Sequence, residues 1–228
     1  MRTRRQGFIG VAVALAVCWA GGAQGAAPPQ RCKEGHAPRA FPATGQTTSY
    51  RVGDDGNIQA DATLSYTDNG DGTITDNNTC LVWEKKSDDG SIHDQHNVYT
   101  WDGAFDTHVA TLNATTFAGY NDWRVPSVKE LQSILNYGMN FPSVSSEFNN
   151  NCTTGSTVLT GSCTAASDYW SSSTDTIGFQ FAWVVDFNSG RVLVDFKPAP
   201  PRNYVRAVRG RSDLGRGDED ELEQDDEE

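Results

Sequence analysis

The residues best placed to do chemistry fall into three groups. Asp68, Asn69, Asp71 and Asp76 lie in the text TDNGDGTITD. Carboxylate and amide oxygens crowded together are the donors a calcium ion takes. The same residues also build plain turns, because Asn, Asp and Gly tolerate left-handed backbone. An EF-hand loop is excluded. With Gly72 at its sixth position, Thr67 falls at the first and Asn78 at the twelfth, where a carboxylate is required. Calcium is therefore the one cofactor the sequence raises, set against turns alone.

The second group is basic. Lys197, Arg202, Arg209 and Arg211 cluster near the C-terminal end of an otherwise acidic chain, with Arg206 among them. Guanidinium groups recognise sulfate or carboxylate through paired hydrogen bonds. In a strand Arg206 and Arg209 point to opposite faces, so the set cannot form a single patch. Arg206 and Arg124 are expected to pair with acids such as Asp186, Asp195 or Glu130. Among the histidines, His93 and His96 could form a metal pair. No third ligand stands at a recognisable spacing, so both are read as surface residues, and His36 and His108 have no support either. Gly-x-Ser-x-Gly and His-Glu-x-x-His motifs are absent.

The third group is the cysteines. Cys18 lies in an apolar leader, leaving Cys32, Cys80, Cys152 and Cys163. An even count in an exported chain reads as two disulfides, and four cysteines allow three connectivities. The polar Thr/Ser/Gly segment between Cys152 and Cys163 favours that pair, which leaves Cys32 for Cys80.

The elements that must hold these residues follow from pattern. Arg2, Arg4 and Arg5, the apolar run Phe8–Ala20 and the small residues after it make residues 1–25 a secretory signal. Its apolar run is too short for a stable span of roughly 20 residues, so the mature chain is expected to have no transmembrane helix. Export predicts a periplasmic, outer-membrane-associated or secreted protein. Residues 26–60 are rich in Gly, Pro and Thr and read as an N-terminal arm. Residues 61–211 form the domain. Residues 212–228, with ten acids and one arginine, read as a disordered acidic tail. Residues 26–211 still carry a net −6, which speaks against nucleic acid as a partner.

Within the domain, Ser127 and Glu130 form a capping box for a helix carrying Leu131, Ile134 and Leu135, with Gly138 as its left-handed stop. Trp101, Phe105, Val109 and Leu112 predict a second helix over Thr100–Asn113. A small hairpin with Ile74, Leu81 and Trp83 buried is expected over 65–84. Period-two alternation from Phe179 to Phe187 and from Val192 to Phe196 predicts the main sheet, with most tryptophans in its core. Tyr204–Gly210 adds a last strand. Asn140–Ala166 is a long irregular segment, the kind of loop that carries binding. The fold class is α+β: two helices packed on a twisted antiparallel sheet with long irregular loops.

Six segments, in order, carry a resemblance: Tyr66–Asn77, Leu81–Lys85, Gly119–Leu131, Tyr169–Ser173, Ala182–Val192 and Tyr204–Gly210. Together they resemble the Lcl C-terminal domain family, the domain that ends a bacterial collagen-like adhesin. The resemblance implies a C-type-lectin-like fold related to sulfatase-modifying-factor domains. It also implies a surface protein that binds sulfated glycosaminoglycans and associates as a homo-oligomer, although no Gly-X-Y collagen repeat is present. The sulfatase-modifying relatives need a reduced cysteine pair near the C-terminal end, and no cysteine follows Tyr169. The expectation is a non-enzymatic, adhesin-like domain that recognises carbohydrate or sulfated glycans. The alternative is a structural or assembly module of the bacterial envelope. A sulfatase-modifying-factor-like or hydrolytic enzyme is the least favoured reading.

Overall fold

The computed structural model describes Cys32, residues 41–200 and residues 202–210. The expected signal, most of the arm before Phe41, Arg211 and the acidic tail lie outside the described residues. The architecture is α+β, with two antiparallel sheets where one was expected. The first sheet has strands β1 (Tyr66–Asp68), β2 (Thr73–Asp76), β3 (Val82–Glu84) and β7 (Val208–Arg209), in the order β1-β2-β3-β7. The second runs β4 (Asp168–Thr174), β5 (Phe181–Asp186) and β6 (Arg191–Phe196). A short helix, α1 (Asp55–Ile58), precedes them and is capped by the Asp54 carboxylate.

The last segment joins the sheets. Tyr204 pairs with Tyr169 of β4, and Val208 then pairs with Trp83 of β3 and with Arg124. The single strand expected over 204–210 is therefore divided between two partners, and β7 itself is only two residues long.

Two helices pack against this frame. α3 (Val128–Ser133) begins with the expected capping box: Glu130 N–H donates to Ser127 Oγ and Ser127 N–H to the Glu130 carboxylate. It ends earlier than the sequence pattern predicts, because Leu135 leaves the helix to pair with Val144 and Asn136 N–H bonds Ser143 O. Gly138 is not the stop. A β-carbon there would fall 2.4 Å from Gly45 O, so a close backbone approach explains the glycine. The other helix, α2, starts as Trp101–Gly103, widens into a π-helix over Ala104–Val109 and finishes as Ala110–Ala114. The Ala110 N–H reaches back to Phe105 O across the wide turn.

Two buried clusters form the core. Ile74, Leu81, Trp83, Leu131, Phe148, Tyr169 and Phe187 meet between the first sheet, α3 and the second sheet. Ala104, Leu112, Trp123, Trp170 and Val184 meet under α2. Trp83, Trp123 and Trp170 are core. Trp101 and Trp183 are only half-buried, and Phe179 is 80% exposed. Val185 and Phe187 of the same alternating set are buried in the first cluster, while Ala182 and Val184 on the opposite face of the strand pack with Trp170 in the second.

Both disulfides are present, Cys32–Cys80 and Cys152–Cys163. No helix among the described residues is long and apolar enough to cross a membrane. Truncating Leu131 to Ala is expected to cost about 2–5 kcal/mol through the cavity it leaves. Ser127→Ala should cost about 1 kcal/mol through the lost cap. Urea denaturation midpoints of the two variants check this order.

Candidate functional site

Among the described residues, a dense polar arrangement lies in the interior. β3 carries Trp83 and Glu84 on opposite faces, and both faces are covered, so Glu84 is wholly enclosed. Its carboxylate collects four donors. Lys86 Nζ lies 3.1 Å from Oε1, and His93 Nδ1 lies 2.8 Å from the same oxygen. His108 Nε2 lies 2.8 Å from Oε2, and Ala207 N–H donates to that oxygen at 2.9 Å. His108 lies in the π-helical turn of α2 and is fully buried. Arg206 is buried beside this group. Its guanidinium donates to Glu84 O, Cys163 O and Thr164 Oγ1 at 2.7–2.8 Å.

Burial alone would raise the Glu84 pKa, but His108, Lys86 and the hydrogen bonds from both histidines outweigh it. The carboxyl is held well below its ordinary value. Burial pushes His108 and Lys86 down, with Glu84 opposing both. Tyr99, 3.3 Å from His108 Nδ1, is pushed up to about 12, chiefly by burial and then by Glu84. A carboxylate whose oxygens accept from four donors, with no exposed surface, is suited to holding elements together.

The residues singled out from sequence sit elsewhere. Asp68 binds Gly70 N–H and the Lys85 ammonium at 2.7 Å. The Asn69 amide donates to Thr73 and Thr75, and Asp71 caps Thr73. Asp76 accepts from Asn78 N–H and the Thr79 hydroxyl. The four are thus engaged in the turns of the β1-β2-β3 meander. Among the described residues, the His, Cys, Asp or Glu side chains that converge as metal donors are Asp88, Asp94 and His96.

The basic residues divide between two places. Lys197, just past β6, donates to Thr174 Oγ1 and stands 3.9 Å from the centre of the Trp101 ring. Arg202 is nearby and bonds Asp195 of β6. Arg209 lies on the other sheet, stacked 3.5 Å from the Tyr120 ring and bonded to Asp122. Arg124 pairs with Glu130, as expected. Arg206 does not pair with a carboxylate as expected; three oxygen acceptors, two of them backbone carbonyls, hold it instead.

Residues 72–209 match the Lcl C-terminal domain model. The chain belongs to the Lcl C-terminal domain family. Comparison with curated proteins returns no match. The matched span of the Lcl domain holds Glu84, all its donors, Arg206 and the Cys152–Cys163 bridge. Asp68 and Asn69 precede it. Sequence reasoning overlooked the Glu84 cluster, and two signals pointed to it. Glu84 and Lys86 share one face of an extended segment, and His108 falls on the same helical stripe as the buried Val109 and Leu112.

Replacing Glu84 by Ala strands the Lys86 ammonium and is expected to cost about 3–5 kcal/mol. Acid should destabilise the domain in two steps. His108 has a lowered folded pKa, so the unfolded chain takes up its proton first and stability falls below pH 6.5, the ordinary histidine value. Glu84 also has a lowered folded pKa. Its contribution is present above pH 4.5 and is lost as the pH drops further. Calorimetry from neutral pH downward checks both steps, and a melting temperature independent of pH over this range would contradict them.

Proposed function

We propose that this chain is an exported, non-enzymatic domain of C-type-lectin-like fold that recognises carbohydrate, sulfated glycans first among them, in an adhesin-like role. The observation that carries this is the pair formed by Lys197 and Trp101. The ring is half-buried, leaving part of it open to solvent. The ammonium above it has no carboxylate partner among the described residues. An aromatic face suits the C–H surface of a sugar ring, and a cation held beside it suits a sulfate. Arg202 with Asp195, close by, adds donors and an acceptor at the end of the same strand. Family membership agrees with such a role, and two disulfides agree with an oxidising compartment. The enclosure of Glu84, the carboxylate most strongly perturbed by its neighbours, favours a non-enzymatic protein.

The envelope assembly module is the second reading, and one feature favours it. The outer face of the β4-β5-β6 sheet exposes Phe179, Val194 and Phe196 beside the half-buried Phe181 and Trp183. An apolar face of this kind fits association with another copy of the chain.

Binding to a sulfated polysaccharide, a neutral one and a calcium-supplemented control separates the two readings. Affinity for the sulfated chain is expected to fall as salt rises, and Lys197→Ala should weaken it several-fold. Calcium dependence would direct attention to the Asp68–Asp76 turns. Absence of glycan binding, with a stable oligomer that Phe196→Asp dissociates, would instead establish the assembly module.

A further inference from the structure

We infer that Asp88, Asp94 and His96 form a binding site for a zinc-class divalent cation. One carboxylate oxygen from each aspartate and one imidazole nitrogen lie within 4.8 Å of one another. All three come from the loop between β3 and α2. His96 Nε2 and Asp88 Oδ1 are 3.4 Å apart. A direct charge-assisted bond between such groups is shorter, about 2.7–2.9 Å. A tetrahedral ion with bonds of about 2.0–2.2 Å separates its ligands by roughly 3.3–3.6 Å. The observed separation matches the edge of such a coordination tetrahedron.

The two carboxylates are prepared differently. Asp94 is buried, and each of its oxygens accepts one backbone N–H, from His96 at 2.8 Å and from Gly90 at 2.6 Å. A carboxylate oxygen has two acceptor sites, so one remains on each for a cation. Asp88 is the more telling residue. Its side chain is only 19% exposed, yet it receives no hydrogen bond from the described residues, and the ring facing it is that of His96. A shielded carboxylate left without donors is stabilised by a cation. Two aspartates and a neutral histidine balance the charge of a divalent ion, with the fourth position left to water. The imidazole nitrogen and the three-residue set favour zinc over calcium, which takes six to eight oxygens.

The loop is held in place without the ion. Asp88 N–H bonds Ser156 O, Gly155 N–H bonds Asp88 O, and Gln95 Nε2 donates to Cys152 Sγ. Asp88 is thereby fixed against the disulfide loop directly, and Asp94 through its neighbour Gln95. His96, with 71% of its side chain exposed, closes the site from outside. A bound ion would tie that exposed residue to the two fixed ones.

The test uses the full chain, stripped with a chelator and titrated with zinc chloride by calorimetry, and with cobalt followed by visible absorption. The variants are His96→Ala and Asp88→Asn. Neither side chain supports the loop, since the ring of His96 is exposed and Asp88 binds its neighbours through its backbone. The expected result is one saturable zinc equivalent, a tetrahedral cobalt spectrum, and affinity reduced at least about tenfold in both variants, the loss that even an outer-shell partner's removal produces. Absence of saturable zinc binding overturns the assignment. Binding of equal strength in wild type and both variants also overturns it, since the ion would then sit elsewhere, for example on the carboxylates of residues 212–228. Calcium binding as tight as zinc overturns the choice of ion.

Discussion

One enclosed carboxylate connects four stretches of chain that lie far apart in sequence. Glu84 belongs to β3, His93 to the loop after it, His108 to the π-helical turn of α2, and Ala207 to the segment that joins the two sheets. Removing a charge from water is costly, and the cost is recovered only when the geometry is good and every lone pair is satisfied. That requirement makes the contact specific. A helix one turn out of place, or a C-terminal segment shifted by one residue, would leave Glu84 or Lys86 buried without its complement. The interaction therefore selects one arrangement of the chain more than it adds net stability. The inner stripe of α2 that carries Val109 and Leu112 into the core also carries His108 to the carboxylate.

Arg206 extends the same logic outward. Its guanidinium bridges the backbone of Glu84 and that of Cys163, so the disulfide loop is anchored to the buried cluster by hydrogen bonds as well as through Lys86 O and Cys163 N–H. The loops at this end of the molecule carry many polar residues and little apolar surface of their own. They are held by a charged centre and a covalent bridge where another protein would use a larger core. The Asp88–His96 segment sits on this support, which explains how an exposed loop keeps three side chains in a defined relation.

Regular elements were legible from residue pattern because local chemistry decides them. The Ser127–Glu130 capping box, the β5–β6 hairpin around Asn188-Ser189-Gly190 and the burial of Ile74, Leu81 and Trp83 all follow from spacing within a few residues. What could not be read depends on distant partners. α3 stops at Ser133 because Val144 captures Leu135, and the 204–210 segment divides because β4 and β3 each claim part of it. The candidate sites follow the same rule. Lys197 and Trp101 are 96 positions apart, and nothing local links them. His96 was visible as a possible ligand, but the side chains that converge on it are Asp88 and Asp94, while His93 turns inward to Glu84. Sequence spacing in an irregular loop does not determine which side chains face one another.

Charge compensation also bears on where an anion would gain most. Arg202 and Arg209 already hold carboxylates, so a sulfate arriving at either must displace Asp195 or Asp122 and gains only the difference between two similar interactions. Lys197 is bonded to a hydroxyl and an aromatic face, both weaker partners for an ammonium than an anion is. An incoming sulfate would therefore gain a charge-assisted bond at Lys197 without first breaking an ion pair. The Trp101 ring would remain in place as a wall for the rest of the ligand, because its Nε1 is anchored to Ser171 O at 2.9 Å. A high count of arginines on an acidic protein thus says little about anion binding. Among Lys197, Arg202 and Arg209, Lys197 is the one that holds no carboxylate and has binding energy still to give.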